Sequence, residues 1–384
     1  MNHAATHRSS QPMLPHPRRA LAWIKKNVVL CIAAVLAIVT SCIVPPDAEY
    51  RNYFDWKTLS CLFSVLAVVC ALKNIRFFTF LARKIVSLTG NLRSAVIALV
   101  YITFIGSMLI ANDMALLTFL PLGYFVLNAT GKERYMAPVF ILQNIAANLG
   151  GMLTPFGNPQ NLYIYSYFNI PTGEFMRIMF PSFLLAVILI TVCCLFFPHD
   201  AVRLQDNFDC KLSPGRTAFY LILFTLSIVM VFRVISYLLG LILIAIGLFF
   251  TDKKALRMVD YPLLMTFFCF FIFAGNMSRI SLVNRLLTDL MSQNPLLVSV
   301  TSCQVISNVP SAILLSRFTE DYRSLLLGVN IGGTGTLIAS LASLITFREY
   351  TSHNPNKAGK YIALFSAFNF GFLIVLTAFA MIMG

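Results

Sequence analysis

Long apolar stretches recur along the whole chain and are separated by short polar or basic segments. A helix that crosses a bilayer needs about 17–25 mostly apolar residues. Stretches of roughly that length predict single crossings at residues 28–44, 56–72, 176–197, 217–232, 236–250, 261–277 and 361–383. The pattern therefore predicts an all-α polytopic membrane protein.

Two further apolar stretches, 136–168 and 322–346, are interrupted by small and polar residues. They contain a pattern of 15 residues that occurs twice without a gap: residues 148–162 read NLGGMLTPFGNPQNL, and residues 330–344 read NIGGTGTLIASLASL. The Asn, the Gly-Gly pair, one Thr and the closing Leu share one register. Helices broken at matching positions of two halves are the best sequence indication of the binding site of a secondary transporter.

The stretches 94–128 and 295–317 each begin and end beside segments that we expect on one side of the membrane. We therefore interpret them as re-entrant helical hairpins with tips at Asn112-Asp113 and Asn308-Val309-Pro310. Non-helical backbone at that depth is tolerated only where protein or a water-filled cavity covers it. The hairpins and the broken helices are thus expected to meet at one site.

Composition supports this class and explains why the chain is basic. Apolar residues make up 58% of the chain and charged residues 11%, against roughly 25% charged residues in soluble domains. The net charge is +14. With a cytoplasmic N-terminus, 21 of the 29 Lys and Arg residues fall in cytoplasmic segments, namely 1–27, 73–93, 129–135, 198–216, 251–260 and 347–360. This is the positive-inside bias of membrane proteins, so we expect no nucleic-acid partner.

Counting membrane crossings from the cytoplasmic N-terminus divides the chain into four parts. They are a disordered cytoplasmic tail (1–27), a first repeat (28–200) with hairpin 94–128 and broken helix 136–168, a linker with one extra span (201–235), and a second repeat (236–384) with hairpin 295–317 and broken helix 322–346. The extra span reverses the direction of the second repeat. The two repeats are therefore predicted to be inverted, as in many alternating-access transporters.

The broken helices carry the residues expected to bind ions or substrate. Gly is flexible and Pro removes a backbone donor, so the predicted hinges are Gly150, Gly151, Pro155, Gly332 and Gly333. Backbone carbonyls freed by such a break suit Na+, and the N-termini of half-helices suit anions. The alternative is close helix packing through small residues, which is common in membranes.

The hairpin tips add two kinds of polar side chain. Asp113 is the acidic residue at the first tip, where a carboxylate is costly and by default a functional candidate. It could carry a proton or lie beside Na+, and it could also cap the second hairpin helix. Asn112 and Asn308 offer donors and acceptors together, either to substrate or to neighbouring helices. Val309 stands at the position that matches Asp113.

Sequence signatures of enzymes are absent. The chain has no H-E-x-x-H, G-x-S-x-G or Walker A pattern, and its five histidines lie at 3, 7, 16, 199 and 353, in predicted tails or loops. We expect no enzymatic activity and no cofactor beyond a coupling ion, Na+ or H+.

The segments ANDMALLTFLPL, NLGGMLTPFGNPQN, SNVPSAILLS and GVNIGGTGTLIAS resemble the ion transporter superfamily. This superfamily includes citrate and carboxylate transporters, divalent anion–sodium symporters, arsenite pumps and NhaD-type antiporters. The chain is most similar to its small bacterial anion permeases, and the resemblance covers residues 28–384. It implies a homodimer in the bacterial inner membrane, in which a mobile domain holding both hairpins and both broken helices moves as an elevator.

The resemblance also implies roles for individual residues. Gly157-Asn158-Pro159 matches the sodium-coordinating turn of the symporters. Sodium–dicarboxylate members carry Ser-Asn-Thr at each tip, where this chain has Ala111-Asn112-Asp113 and Ser307-Asn308-Val309. The predicted substrate contacts are Asn112, Asn308, Thr154 and Thr336. The predicted coupling-ion residues are Asp113, Gly157, Asn158, Asn161, Ala339 and Ser340, with Na+ placed near Asn112, Gly157 and Asn158. The duplicated pattern divides them into two predicted ion sites, one formed by Asp113, Thr154, Gly157 and Asn158 and its inverted counterpart formed by Thr336, Ala339 and Ser340.

The function predicted from the sequence is secondary transport of a small carboxylate, citrate-like or dicarboxylate-like, or of another anion, coupled to Na+ or H+. One rival is efflux, as by an arsenite pump or a Na+/H+ antiporter. A second rival is a channel, which large unitary currents would reveal.

Overall fold

The computed structural model describes residues 23–24, 27–201 and 212–383. The predicted tail at 1–27 lies almost entirely outside the described residues, as do residues 202–211 of the predicted linker. The described chain is helical almost throughout. Seven of its helices are long and apolar enough to cross a membrane, so the protein is an all-α polytopic membrane protein, as predicted.

The helices of the first half and the linker are α1 Val28–Ile43, α2 Trp56–Asn74, α3 Phe77–Val86, α4 Leu92–Ile110, α5 Asn112–Ala129, α6 Met136–Gly150, α7 Pro159–Tyr167, α8 Thr172–Leu195 and α9 Pro214–Val231. The helices of the second half are α10 Tyr237–Thr251, α11 Lys253–Met258, α12 Tyr261–Arg279, α13 Ser281–Gln293, α14 Pro295–Ile306, α15 Asn308–Leu315, α16 Tyr322–Ile331, α17 Leu341–His353 and α18 Ala358–Met383.

Both predicted hairpins are pairs of helices separated by a single residue. The first hairpin (residues 92–129) is α4 and α5, and the second hairpin (residues 295–315) is α14 and α15. An Asn caps the start of each: Asn91 accepts from Ser94 N, and Asn294 accepts from Leu297 N, both at 2.9 Å. With 12 and 8 residues, α14 and α15 are too short to cross a bilayer singly, which supports re-entry of the second hairpin. Because α4 is long enough to cross, re-entry of the first stays a prediction.

The broken helices are also present. The first loop (residues 151–158) separates α6 from α7, and the second loop (residues 332–340) separates α16 from α17. Between Val139 and Gly150 every residue of α6 is buried, so this helix lies at the centre of the fold. The outer helices instead expose apolar faces, such as Phe180, Leu184 and Ile188 on α8, because their other neighbour is lipid.

The hairpins and broken helices exchange equivalent contacts. The first helix of each hairpin packs on the first half of the broken helix that follows it, α4 on α6 and α14 on α16. The second helix of each hairpin packs on the second half of the other broken helix, α5 on α17 and α15 on α7. A two-fold relation between two copies produces such an exchange. It supports the prediction of two repeats, and their inversion across the membrane stays a prediction.

Some predicted boundaries were wrong. Helix α17 continues to His353, and α18 begins at Ala358, so the predicted loop 347–360 is largely helical. The predicted segment 251–260 contains the short helix α11, which Asp252 caps by accepting from Ala255 N at 3.0 Å. Loop charge alone could not reveal these turns, because solvent-exposed helical turns carry polar residues as loops do.

Candidate functional site

The hairpins turn at one residue each, and that residue has an unusual backbone conformation. Ala111 has φ 65° and ψ 148°, and Ser307 has φ 76° and ψ 158°. This region is essentially restricted to Gly, and a residue held there costs about 1–3 kcal/mol. Matching strain at two matching positions marks both tips as candidate functional elements. The sequence gives no hint of it, because neither residue favours positive φ.

Each strained tip places an Asn at the start of the second hairpin helix. Asn112 and Asn308 are each only 4% exposed, and each side-chain oxygen accepts from the next backbone N–H at 2.9 Å. The Asn112 amide nitrogen donates to Asn148 Oδ1 at 3.1 Å. The Asn308 amide nitrogen donates to no other described residue, so it remains available to a ligand.

Asp113 lies in the first turn of α5. Ala111, and not Asp113, is the N-cap residue of this helix, and no side chain caps it. The predicted alternative that Asp113 caps the helix is therefore wrong. The Oδ1 atom of Asp113 is buried and has no hydrogen-bond partner among the described residues. A buried acceptor without a partner is uncommon and calls for an explanation such as an ion. The carboxylate therefore remains the strongest candidate for a coupling role.

The first loop is held together by two Asn side chains. The Asn161 amide nitrogen donates to the carbonyls of Gly151, Met152 and Thr154 at 3.0, 3.2 and 3.3 Å. Asn158 donates to the Asn148 carbonyl at 3.1 Å, and its own Oδ1 is buried without a partner. The carbonyls freed by the helix break are thus largely satisfied by Asn161. Asn161 fits a structural role better than the predicted ion contact.

The remaining oxygens of the first loop lie close together because two glycines touch. A Cβ atom added at Gly151 would lie 2.9 Å from the Gly157 carbonyl oxygen and closer still to Asn158 Oδ1. One added at Gly157 would lie 2.7 Å from Thr154 Oγ1. Three oxygen atoms of Thr154, Gly157 and Asn158 therefore surround the glycine pair. Oxygen donors of this type suit a hard cation such as Na+.

The second loop uses different residues at the matching positions. Thr336 Oγ1 donates to the Gln304 carbonyl at 3.1 Å, as Thr154 Oγ1 donates to the Met108 carbonyl at 2.8 Å. The Ala339 carbonyl accepts from Asn308 N at 2.9 Å. Both Thr hydroxyl groups thus donate their hydrogen to a backbone carbonyl, so that only the lone pairs of each hydroxyl oxygen are free to contact a ligand. These suit a cation better than the substrate carboxylate that we predicted.

The two copies of the duplicated pattern bond to each other directly. Asn158 donates to Asn330 Oδ1 at 3.3 Å, and the matching Ser340 donates to Asn148 Oδ1 at 3.0 Å. Asn330 in turn donates to Asn161 Oδ1 at 2.6 Å. Asn148 and Asn330 were part of the duplicated pattern but not of the predicted site. They are the central residues of the network that joins the two loops.

The predicted hinges divide into two kinds. Gly150 and Gly332 keep helical backbone angles, as Gly151 also does, so the chain leaves the helical conformation only after Gly151 and Gly332. Both allow a hairpin to approach closely: a Cβ at Gly150 would lie 2.6 Å from Ser107 Oγ, and one at Gly332 would lie 2.9 Å from Cys303 Sγ. The other three predicted hinges belong to the loops themselves or line them: Gly151, Pro155 and Gly333.

These features define a membrane protein with two tip-and-loop pairs meeting at a buried polar centre. Comparison with known proteins agrees. The family model described as citrate transporter matches residues 20–321, and the chain belongs to this citrate transporter family. It is a membrane solute transporter and not an enzyme.

Individual relatives are also transporters or membrane proteins. The uncharacterized transporter MJ0456 of Methanocaldococcus jannaschii is 32% identical over 337 residues, which is 87% of this chain and 92% of the relative. The inner membrane protein YbiR of Escherichia coli is 28% identical over 303 residues, 77% of this chain and 80% of the relative. The silicon efflux transporter LSI3 of rice, Oryza sativa, is 33% identical over 180 residues, 47% of this chain and 33% of the relative.

Proposed function

We propose that this protein is a secondary active transporter that moves a small carboxylate, citrate-like or dicarboxylate-like, or another small anion, with Na+ or H+. The observation that carries the proposal is the pair of buried acceptors without partners, Asp113 Oδ1 at the first tip and Asn158 Oδ1 in the first loop. Unpaired buried oxygens are costly unless a bound cation or proton satisfies them. A coupling ion bound between these two oxygens would contact both of them and offset that cost.

The coupling ion is assigned to the first half. Asp113, Thr154, Gly157 and Asn158 supply a carboxylate, a hydroxyl, a backbone carbonyl and an amide oxygen. Asn112 closes this site from the tip through its bond to Asn148. If the ion is H+, Asp113 is the group that carries it.

The substrate is assigned to the space between the two tips. The Asn308 amide nitrogen is available as a donor, and Asn112 lies at the matching place on the other tip. Helices α5, α7, α15 and α17 all begin at the tips or loops, so their positive N-terminal ends favour an anion there. The bound cation offsets the charge of Asp113.

The transport cycle is an elevator movement in the bacterial inner membrane. The two hairpins and two broken helices move together because hydrogen bonds between the loops join them, and the lipid-facing outer helices form the scaffold. The protein works as a homodimer with a cytoplasmic N-terminus, its expected partners being the bilayer and a small anion.

Uptake into proteoliposomes tests this function. Purified protein is reconstituted, and uptake of labelled citrate and succinate is followed under imposed Na+ and pH gradients. The proposal predicts saturable uptake that stops when the coupling gradient is collapsed. Absence of carboxylate flux, together with Na+-dependent proton movement, would contradict it, and large unitary currents would indicate a channel.

Efflux is the second candidate, and one observation favours it. In the proposed arrangement the Asn112-Asp113 tip would put a carboxylate beside the substrate, which suits a neutral hydroxylated solute or a proton-coupled exchange better than a dianion. The name of the rice relative, silicon efflux transporter, points the same way. Everted membrane vesicles distinguish this candidate from carboxylate uptake. A proton gradient is imposed across their membrane, and the accumulation of arsenite or silicic acid inside them is measured.

A further inference from the structure

The two halves differ in the residue that lies three positions before each tip. This residue is Met108 in the first hairpin and Gln304 in the second. The two positions are structurally equivalent, because the backbone carbonyl of each accepts from the Thr hydroxyl of its own loop. What differs is the side chain that each hairpin presents to its loop.

Gln304 bonds the second loop through both ends of its amide. Its nitrogen donates to the carbonyls of Gly332 and Thr334 at 2.9 and 3.1 Å, and its oxygen accepts from Thr336 N at 2.8 Å. The nitrogen also lies 3.1 Å from the Val300 carbonyl. An amide NH2 group carries positive partial charge, so it occupies the position where loop carbonyls would otherwise face a cation.

The second loop is shaped to receive this side chain. Gly335 has φ 113°, and a Cβ added there would lie 2.8 Å from Gln304 Cδ. The first copy has Leu153 at the position of Gly335. Both the backbone angle and the space therefore depend on Gly at this position, and Gln304 and Gly335 form a matched pair that the first half lacks.

The second tip is also bonded directly to its loop. Asn308 N and Ser307 Oγ both donate to the Ala339 carbonyl, at 2.9 and 3.3 Å. Gly157 is the first-half residue that matches Ala339, and no bond from Asn112 N to its carbonyl is present among the described residues. Among the described residues, the hydrogen bond between the first hairpin and its loop is made by a side chain, Thr154 Oγ1 to the Met108 carbonyl. The second tip has a backbone bond to its loop in addition, from Asn308 N to the Ala339 carbonyl.

The buried side-chain acceptors of the tips and loops that lack partners follow the same division. Asp113 Oδ1 and Asn158 Oδ1 are buried without partners. Their second-half counterparts are Val309, whose side chain has no polar atom, and Ser340, whose hydroxyl donates to Asn148. Asn161 also bonds loop carbonyls in the first half, but it does so from α7 and leaves the hairpin side open. Among the described residues of the two tips and two loops, the buried side-chain oxygens without partners are thus Asp113 Oδ1 and Asn158 Oδ1, both in the first half.

We propose that the Gln304 amide takes the place of a second coupling cation, so that each protomer binds no more than one cation, at the first tip and loop. This inference rests on the proposed ion-coupled transport and specifies its stoichiometry. Ala339 and Ser340 are then structural residues rather than the second ion site that the duplicated pattern predicted.

Equilibrium binding of radioactive Na+ to the full chain in nanodiscs tests the proposal, with Gln304→Glu as the informative variant. Replacing the NH2 donor by a carboxylate oxygen that faces the carbonyls of Val300, Gly332 and Thr334 should create a demand for a cation. The expected result is at most one Na+ per protomer in the wild type and one more in Gln304→Glu. Gln293→Glu makes the same change at the exposed end of α13 and should add none.

Gln304→Met, which introduces the residue found at Met108, is the second variant if Gln304→Glu fails to fold. Na+ should raise the melting temperature of Gln304→Met by more than it raises that of the wild type. Two Na+ per wild-type protomer, or no change in either variant, would overturn the inference and leave coupled transport standing. A gained ion in Gln304→Glu together with no gradient-driven flux in the wild type would support the inference and overturn the proposed function.

Discussion

Asn158 of the first loop donates a hydrogen bond to Asn330 of the second copy at 3.3 Å. The matching pair, Ser340 and Asn148, forms the same bond in the opposite sense at 3.0 Å. Equivalent residues of two copies exchange contacts in this way when a two-fold relation connects them. The two broken helices are therefore held as one body, which an elevator movement requires.

A double-mutant cycle tests whether these bonds join the two copies. Asn158→Ala and Asn330→Ala should show a coupling energy of about 0.5–1.5 kcal/mol, since interhelical hydrogen bonds in membranes average about 0.6 kcal/mol. Unfolding in SDS measures it. The Asn369→Ala and Asn158→Ala pair is the control, because Asn369 bonds within its own helix. Strict additivity for Asn158 and Asn330 would contradict the network.

The strain at the two tips predicts a gain in stability on substitution by Gly. Ala111→Gly and Ser307→Gly should each raise the free energy of unfolding by about 1 kcal/mol, because relief of 1–3 kcal/mol of strain exceeds the entropic cost of Gly. Ala98→Gly, in the middle of α4, should instead lower it by about 0.5–1 kcal/mol. A loss of stability in both tip variants would show that the positive φ angles are not strained.

Contact between the two glycines of the first loop predicts a loss of transport on small substitutions. Gly151→Ala and Gly157→Ala place a methyl group where the oxygens of Asn158, Gly157 and Thr154 converge. Transport should fall by on the order of 10-fold or more, because a misplacement of about 1 Å can cost 100-fold. Gly371→Ala is the matched control, since no atom lies within 4 Å of a Cβ there. Equal transport in all three variants would remove the first loop from the site.

A pH effect is expected at the end of α8, outside the membrane. Lys132 donates to Asp200 at 2.6 Å and holds the pKa of that carboxyl below its ordinary value. A carboxyl whose pKa is lowered in the folded state stabilises the fold at pH values above its pKa in the unfolded chain, about 3.9. This contribution disappears as the pH falls through the lowered pKa of the folded state. The melting temperature of the wild type should therefore exceed that of Asp200→Asn at pH 6, and the difference should shrink as the pH falls below about 3.9 and through the lowered pKa. Glu133→Gln, at an exposed position of the neighbouring loop, should track the wild type.

Much of the architecture could be predicted from the sequence because apolar stretches and small-residue interruptions leave a direct pattern. The helices at the two predicted hairpins and the first broken helix begin and end within a few residues of the predicted bounds, and re-entry of the hairpins stays a prediction. The extension of α17 to His353 was not predicted, because its last turns are polar. The strained angles at Ala111 and Ser307 could not be predicted either, since tertiary packing imposes them on residues that do not favour them.

The candidate site was predicted unevenly for a related reason. The duplicated pattern drew attention to Asn158 and Ser340. It could not show that Asn158 bonds Asn330 and Ser340 bonds Asn148, the first Asn of the other copy in each case. Gln304 was missed because a single Gln on an apolar helix has no signature, and only its contacts with Gly332, Thr334 and Thr336 single it out. Asp113 was singled out because an acidic residue in such a position is rare, and its coupling role stays a prediction.

Gradient-driven flux in proteoliposomes of the wild type and of Asp113→Asn tests the central claim most directly. Asn has nearly the same shape and lacks the charge. Losing a buried charge partner costs about 3 kcal/mol or more, so coupled uptake should fall at least about 100-fold and lose its pH dependence, while the melting temperature in the absence of Na+ stays at or above the wild-type value. Full gradient-coupled flux in Asp113→Asn would contradict the account.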